Sequence, residues 1–170
     1  VDQSKNWDAW SPKFGVDYTY DSGTMVYGTV SRGFKSGGYN MTSGDADFDP
    51  EYVWSYEVGS KMEMLDRKLR SNVSVFYYDY SDLQVQDFVQ VGVLSISNAA
   101  DATVQGIEIE NEWMPTYDLL FEFDYAFLDA EYDKYNSPAG DASGNDLIAS
   151  PRHKVNLATQ FFHGISSGTM

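Results

Sequence analysis

Residues 51–88, EYVWSYEVGSKMEMLDRKLRSNVSVFYYDYSDLQVQDF, contain two runs of alternation separated by a polar break. Successive side chains of a strand point to opposite faces, so Trp54, Tyr56, Val58, Ser60, Met62 and Met64 separate from Ser55, Glu57, Gly59, Lys61 and Glu63. After Leu65-Asp66-Arg67-Lys68 the pattern resumes, with Leu69, Ser71, Val73, Val75 and Tyr77 against Arg70, Asn72, Ser74, Phe76 and Tyr78. A turn closed at Asp66-Arg67 sets Met64 opposite Leu69, Val58 opposite Val75, Tyr56 opposite Tyr77 and Glu63 opposite Arg70, so one register satisfies both faces. This stretch folds as an antiparallel hairpin with one apolar face and one that carries all its charge.

The rest of the chain repeats the theme. Residues 11–20 alternate Phe14, Val16, Tyr18 and Tyr20 with Lys13, Gly15, Asp17 and Thr19, and Asp21-Ser22-Gly23-Thr24 supplies turn chemistry. A strand over 25–34 follows, with two possible facings: Val26, Gly28 and Val30 outward, or Met25, Tyr27 and Thr29. A polar connection over 35–51 leads into the hairpin, whose second strand has room to continue toward Gln86. Residues 88–102 read as a second long connection with space for a short strand. Then Ile107, Ile109 and Trp113 oppose Glu108, Glu110 and Glu112, Pro115-Thr116-Tyr117-Asp118 reads as a turn, and Leu119, Phe121, Phe123, Tyr125 and Phe127 oppose Glu122 and Asp124. A third connection over 133–150 has no usable periodicity. The last strand sets Val155, Leu157, Thr159 and Phe161 against Lys154, Asn156, Ala158 and Gln160.

Connections therefore alternate, short at 21–24, 65–68 and 115–118 and long at 35–51, 88–102 and 133–150. Short turns on one side and long loops on the other, joined by strands of about ten residues, are the arrangement of a transmembrane β-barrel. The aromatic face of six strands has no Asp, Glu, Lys or Arg in its central stretch and can meet lipid. The opposite face, with Asp17, Glu57, Lys61, Glu108, Glu110, Glu112, Asp124 and Lys154, suits a wet lumen. A soluble β-sandwich explains the alternation equally well, but it does not explain the loop asymmetry, and its strands are usually shorter.

Composition narrows the choice. Aromatics make up 16% of the chain, with 13 Tyr, yet mean hydropathy is −0.42, which suits alternating strands better than a thick core. No stretch approaches the roughly 18 consecutive apolar residues of a spanning helix. The chain has no cysteine, so disulfides and thiolate metal sites are excluded. A net charge of −15 argues against nucleic acid as a partner. The opening residues lack the basic and apolar regions of a signal peptide, so a mature chain or a fragment is expected.

Two stretches carry a more specific signal. The run VSRGFKSGGYN (30–40), followed by FDPEYVWSYEVGSK (48–61), resembles the barrel of TonB-dependent outer-membrane receptors. There a strand ending in an S-R-G-F-K-S-G-G-like sequence leads to an outer loop, and the next strand carries Y-E-x-G-x-K, here Tyr56, Glu57, Gly59 and Lys61. The downstream order fits too: LRSNVSVFYYDYSDLQVQ, SNAADATVQGIEIE, and a Pro-Arg-His-Lys-x-Asn strand from Pro151. The resemblance implies an antiparallel up-and-down barrel of roughly 22 strands with a plugged lumen, of which this chain supplies about seven. An odd count cannot close a bacterial single-chain barrel. Residues 1–170 are thus expected to be an internal part of the barrel, without the plug domain, in the bacterial outer membrane.

The implied function is capture and energised import of a scarce nutrient, with a ferric siderophore as the likeness-based substrate class and no bond made or broken by this wall. The implied partners are a TonB-type energising complex, reached through an N-terminal part that lies outside these residues, a small-molecule metal chelate and outer-membrane lipid. No cofactor and no catalytic residue is expected. Rival readings are an outer-membrane barrel hydrolase, which needs a Ser-His pair at the rim, and a soluble carbohydrate-binding sandwich.

Candidate substrate-binding residues are Arg32, Lys35, Tyr39 and Asn40, at or just beyond the outer rim, where basic and aromatic groups grip an anionic chelate. Anchoring of the strand in the headgroup zone is the alternative. Glu108, Glu110 and Glu112 form a ladder about 7 Å apart, which reads as lumen lining rather than a metal site. Asp45, Asp47 and Asp49 are spaced like the start of a calcium loop, but Pro50 and Tyr56 stand where Gly and Glu are needed, leaving a solvated acidic loop. His153 and His163 have no triad arrangement around them, and Gly33, Gly37 and Gly38 read as turn residues at a strand end. Asn40-Met41-Thr42 and Asn72-Val73-Ser74 match a glycosylation acceptor, common by chance.

Overall fold

The computed structural model describes residues 4–40, 43–44, 47–137 and 140–163. Its elements are all strands: β1 (Lys13–Thr19), β2 (Met25–Lys35), β3 (Glu51–Met64), β4 (Leu69–Gln90), β5 (Val93–Thr116), β6 (Leu119–Ser137), β7 (Gly140–Asp141) and β8 (His153–Phe161). Seven of them form one open antiparallel sheet in the order β1-β2-β3-β4-β5-β6-β8, and β7 pairs only with the outer end of β6. This is the curved wall of a partial barrel. Among the described residues no large side chain is fully buried, and Val16 (74%) and Leu157 (72%) stand exposed in mid-strand. A sandwich would bury those side chains between two sheets, so that reading fails.

The central hairpin has the register that alternation dictates, with Met64 paired to Leu69, Glu63 to Arg70, Val58 to Val75 and Tyr56 to Tyr77. Its turn holds Leu65, Asp66 and Arg67 at φ of 55°, 55° and 65°. That conformation is costly for a residue with a Cβ, and it turns the backbone in the sense the strand twist prefers. The open question about β2 is resolved by uninterrupted pairing on both sides. Gly28 lies opposite Val16 and Val58, and Val30 opposite Phe14 and Tyr56, so Val26, Gly28 and Val30 share the apolar outward face.

Each cross-strand row of the outward face records the tilt of the wall. The row through Val58 is apolar across Val75, Ile107 and Phe127 to His153. One row further out, Tyr56 and Tyr77 give way to Gln105 and Asp129; in the next, Trp54 is followed by Asp79, Thr103 and Glu131. The outermost apolar or aromatic residue thus recedes from Phe34 on β2 and Tyr52 on β3 to Tyr77, Ile107, Phe127 and Val155 on successive strands. A level hydrocarbon band crossed by tilted strands produces this drift, and barrel strands tilt by about 35–45°.

Two long connections read from the sequence are largely sheet. Residues 88–102 are not a loop: β4 runs to Gln90, Val91-Gly92 turns the chain with Gly92 at φ 79°, and β5 starts at Val93. Register shifts at Tyr80/Leu83, Leu83/Gln84 and Phe88/Gln90, with Asp82 at φ 55°, break the alternation that would have revealed the pairing. The turn after β5 is likewise shorter than expected, since Pro115 and Thr116 belong to the strand. In the third connection β6 extends to Ser137, and residues 142–150 lie along its edge, with Leu147 N donating to Ala130 O (2.9 Å) and Tyr132 N to Asn145 O (3.0 Å).

From Tyr78 to Gln90, β4 adds roughly 40 Å beyond the apolar band, at a rise of about 3.3 Å per residue. This outer part has its own small core of Val85, Ala100, Ala102 and Tyr132, packed by Tyr80, Leu83, Tyr135 and Leu147. It forms a folded rim beyond the apolar band.

Candidate functional site

The outer rim is built where the connection after β2 meets the extended β4–β5 hairpin, and carboxamide side chains lace the two together. Asn98 accepts from Asp49 N (2.7 Å) and donates to Asp49 O and Asp82 O (both 2.8 Å). Gln84 Nε2 donates to Ser36 O (2.9 Å) and Asp49 O (3.1 Å), while its backbone N donates to Glu51 Oε2 (2.9 Å). Asn40 closes a two-way bond with Ile96, donating to its carbonyl (2.8 Å) and accepting from its N–H (2.9 Å). Each carboxamide offers one acceptor and two donors, so it can replace a missing ladder bond on an irregular backbone.

Four aromatic and glycine residues pack beneath this lacing. Gly38 pairs with Phe48 through two backbone bonds of 3.0 Å. A Cβ on Gly37 would lie 2.3 Å from Phe48 O and 2.7 Å from the Trp7 ring, and one on Gly38 would lie 2.5 Å from the Phe48 ring. Neither glycine has positive φ. Their role is therefore close approach to aromatic rings and not the turn formation expected from sequence. Lys5 closes the cluster by bonding Asp47 (2.6 Å) and Asp49 (3.1 Å). The Lys5 ammonium holds the Asp47 carboxyl below the usual range, and the two carboxylates raise Lys5 in turn. The acidic stretch is thus partly neutralised, and its third member, Asp45, lies outside the described residues, as do Met41 and Thr42 of the first glycosylation match.

The four rim candidates do not form one cluster. Arg32 is in register with Trp54 on the outward face, its guanidinium carbon 4.2 Å above the Tyr52 ring and one terminal N–H donated to Trp10 O (3.2 Å). Lys35 faces the lumen opposite Glu51, 3.6 Å from its carboxylate. Tyr39 meets the Trp7 ring edge-on at 5.8 Å. Asn40 is committed to Ile96. Sequence reading missed Trp7, Gln84 and Asn98, which sit outside any periodic pattern.

Further down, the lumen wall is acidic and largely internally bonded. Tyr27 donates to Glu57 (2.7 Å), Arg70 lies between Glu63 (3.4 Å) and Glu112 (3.6 Å), Asn72 donates to Glu110 (3.2 Å) and Asn156 to Asp124 (2.9 Å). Arg70, Asn72, Glu110, Glu112, Glu122 and Asp124 line a shallow depression of about 350 Å³. Among the described residues no group of three or more His, Asp or Glu is set to hold a metal. His153 lies on the outward face, its Nδ1 3.0 Å from the Tyr125 hydroxyl, and His163 stacks on Phe161 at 6.4 Å. Among the described residues both histidines contact aromatic side chains, and the rim-hydrolase reading gains no support from them.

Comparison with known proteins bears directly on this wall. Residues 1–169 match the family described as TonB dependent receptor-like, beta-barrel. The chain is 28% identical over 166 residues to the metal-pseudopaline receptor CntO of Pseudomonas aeruginosa, covering 94% of this chain and 23% of that protein. It is 33% identical over 117 residues to the pesticin receptor of Yersinia enterocolitica, covering 66% of this chain and 17% of the relative. The ferric yersiniabactin uptake receptor FyuA from Yersinia pestis superposes with a TM-score of 0.72 at 22% identity, over 92% of this chain and 23% of that one. The chain therefore spans about a quarter or less of the length of these relatives.

Proposed function

Because the chain belongs to the TonB-dependent receptor-like β-barrel family, whose barrels lie in the outer membrane of Gram-negative bacteria, we propose that it forms one wall of a receptor importing a scarce nutrient, with a ferric siderophore complex as the substrate class. The observation that carries this reading is the family match over 1–169 together with relatives named as receptors for metal chelates. In this reading the wall makes and breaks no bond. It holds a plug supplied by other parts of the receptor, and energy arrives through a TonB-type partner that contacts that N-terminal part.

Within the rim, Lys35 and Tyr39 are proposed to meet the ligand. Lys35 faces the lumen with its side chain 62% exposed, and Tyr39 adds an aromatic face beside Trp7. An ammonium and an aromatic ring suit an anionic, partly planar chelate. Asn40 is proposed to act one step back, holding the segment that carries Tyr39 against β5. Arg32, on the outward face, contacts Tyr52 and Trp10 instead.

The test uses the full-length receptor. Binding of ferric siderophores of several chemical classes is followed by quenching of intrinsic Trp fluorescence, and growth under iron limitation is compared between the deletion strain and its complement. Binding of one class at micromolar or tighter affinity, with growth restored only by the intact receptor, supports the reading. No binding of any ferric chelate, with unchanged growth, overturns the substrate class and leaves the wall architecture standing.

A further inference from the structure

The indole N–H of Trp7 is shielded from solvent and, among the described residues, meets no acceptor. It is pressed onto Gly37, where a Cβ would lie 2.7 Å from both Nε1 and Cε2, so only a glycine lets the ring come this close. The carbonyl next to that point, Phe48 O, accepts instead from Gly38 N (3.0 Å). A buried donor without a partner loses its hydration and gains nothing in return, so the arrangement is costly as it stands. Lys5 lies over the same ring, its Nζ 5.4 Å from the centroid, and Tyr39 meets the ring edge-on at 5.8 Å. The ammonium draws on the ring's electrons and makes the N–H a stronger donor. No backbone hydrogen bond among the described residues joins 5–9 to the sheet, so this segment can turn aside without breaking a strand.

We propose that Trp7 determines specificity in this rim by exchanging its unsatisfied N–H for a hydrogen bond to an anionic oxygen of the incoming chelate. The proposal rests on the reading above, in which Tyr39 and Lys35 meet an anionic chelate, and it deepens that reading by naming a third contact. Rotation of residues 5–9 away from Gly37 carries the indole edge toward a ligand held at Tyr39. A carboxylate or phenolate oxygen then accepts the bond, and the cost carried by the ligand-free rim disappears. A hydrogen bond to a charged acceptor is worth more than one to a neutral acceptor, so the exchange favours anionic chelates over neutral ones. A tryptophan that served packing alone would behave differently. Deleting its N–H while keeping the shape of the ring would then leave the free rim no tighter and the ligand no weaker.

The experiment replaces Trp7 of the full-length receptor by 3-benzothienylalanine, which keeps the two-ring shape and carries sulfur in place of the N–H. In the ligand-free receptor, amide exchange from Gly37 to Tyr39 should slow by about fivefold or more, because opening no longer frees an unsatisfied donor. The probes for binding are the gallium(III) complexes of salicylate, catechol and acetohydroxamate, measured by calorimetry. The anionic salicylate and catecholate complexes should bind about tenfold more weakly to the isostere, and the neutral hydroxamate complex should lose less. In the wild type, the Trp7 indole N–H resonance, identified by its loss in Trp7→Phe, should move downfield as the salicylate complex saturates. If the isostere does not assemble, that resonance carries the test alone. Unchanged exchange, unchanged binding of the anionic complexes, or an unmoved N–H resonance at saturation would each overturn the proposal while leaving the substrate reading in place. Failure of all three complexes to bind the wild type would overturn the substrate reading, and the proposal with it.

Discussion

Tyr27 covers Gly59, its cross-strand partner, closely enough that a Cβ there would lie 2.6 Å from three atoms of the phenol, and it donates its hydroxyl to Glu57 at 2.7 Å. The second glycine of this kind, Gly106, is covered by Phe76, with a Cβ placed 2.6 Å from that ring and 2.3 Å from the carbonyl oxygen of Phe127. In both places a bare strand position lets an inward aromatic ring lie down on the sheet, where it replaces the missing side chain as a packing surface.

The two glycines should respond differently to alanine. At Gly59 the obstructing atoms are the far end of a movable side chain, so Gly59→Ala should displace Tyr27, weaken its bond to Glu57 and cost about 1 kcal/mol. At Gly106 the obstruction includes backbone of the β5–β6 ladder, so Gly106→Ala should cost about 1–3 kcal/mol or prevent assembly. Heat-modifiable gel mobility of the full-length receptor, titrated with denaturant, ranks the two.

A cation placed on the outward face should be far worse than one placed a residue away on the lumen side. Ile109 lies in mid-band between Val73 and Tyr125, whereas Glu110 faces Asn72 and Asp124. Ile109→Lys should destabilise by about 2–4 kcal/mol, the cost of a cation near the bilayer midplane. Glu110→Lys loses one partly exposed bond, from Asn72, and should cost about 1 kcal/mol or less. Folding equilibria in lipid vesicles provide the comparison, and equal costs would argue against a lipid-facing surface.

Three bonds from one side chain make Asn98 the centre of the rim lacing. Asn98→Ala should loosen residues 47–50 while leaving β3 intact. With about 0.5–1.5 kcal/mol per bond and every 1.4 kcal/mol worth a factor of ten, amide exchange there should speed by roughly tenfold or more.

The Lys5 clasp should be pH-sensitive at both extremes. Asp47 is depressed by its bond to Lys5, so its contribution is present above the normal carboxylate pKa and lost as pH falls through the lowered folded value. Lys5 is raised, so its contribution is present below the normal value of 10.5 and lost as pH climbs through the higher folded one. Both groups are solvent-exposed, so the effect is local. A cross-relaxation signal between Lys5 and Asp47 should persist from mildly acidic to mildly alkaline pH and vanish at either end, and Lys5→Gln should abolish it throughout.

How much of this was legible in the sequence follows from what each part of the wall must satisfy. Where one face meets an apolar medium and the other water, alternation is compulsory, and the β3–β4 register from Tyr56–Tyr77 to Met64–Leu69 could be read directly. Above the band that constraint lapses. Strands there meet water on one side and a shallow cluster on the other, so bulges at Ser81-Asp82 and small residues such as Ala100 and Ala102 conceal the pairing that runs on to Gln90. The rim was legible only as composition. Asn40, Gln84 and Asn98 act through backbone partners distant in sequence, and nothing in their spacing announces it. Which side Arg32 faces needed the pairing of β2 with β3.

The central claim, that the odd-numbered residues of β6 from Phe121 to Phe127 look into lipid and the even-numbered ones between them into the lumen, is most directly tested by a nitroxide scan of residues 121–127 in the full-length receptor in vesicles. Collision with oxygen, which concentrates in hydrocarbon, should peak at Phe121, Phe123, Tyr125 and Phe127 and fall at Glu122, Asp124 and Ala126, a period of two in phase with the strand. A flat profile, or one in the opposite phase with the aromatic positions shielded from lipid, would contradict the account.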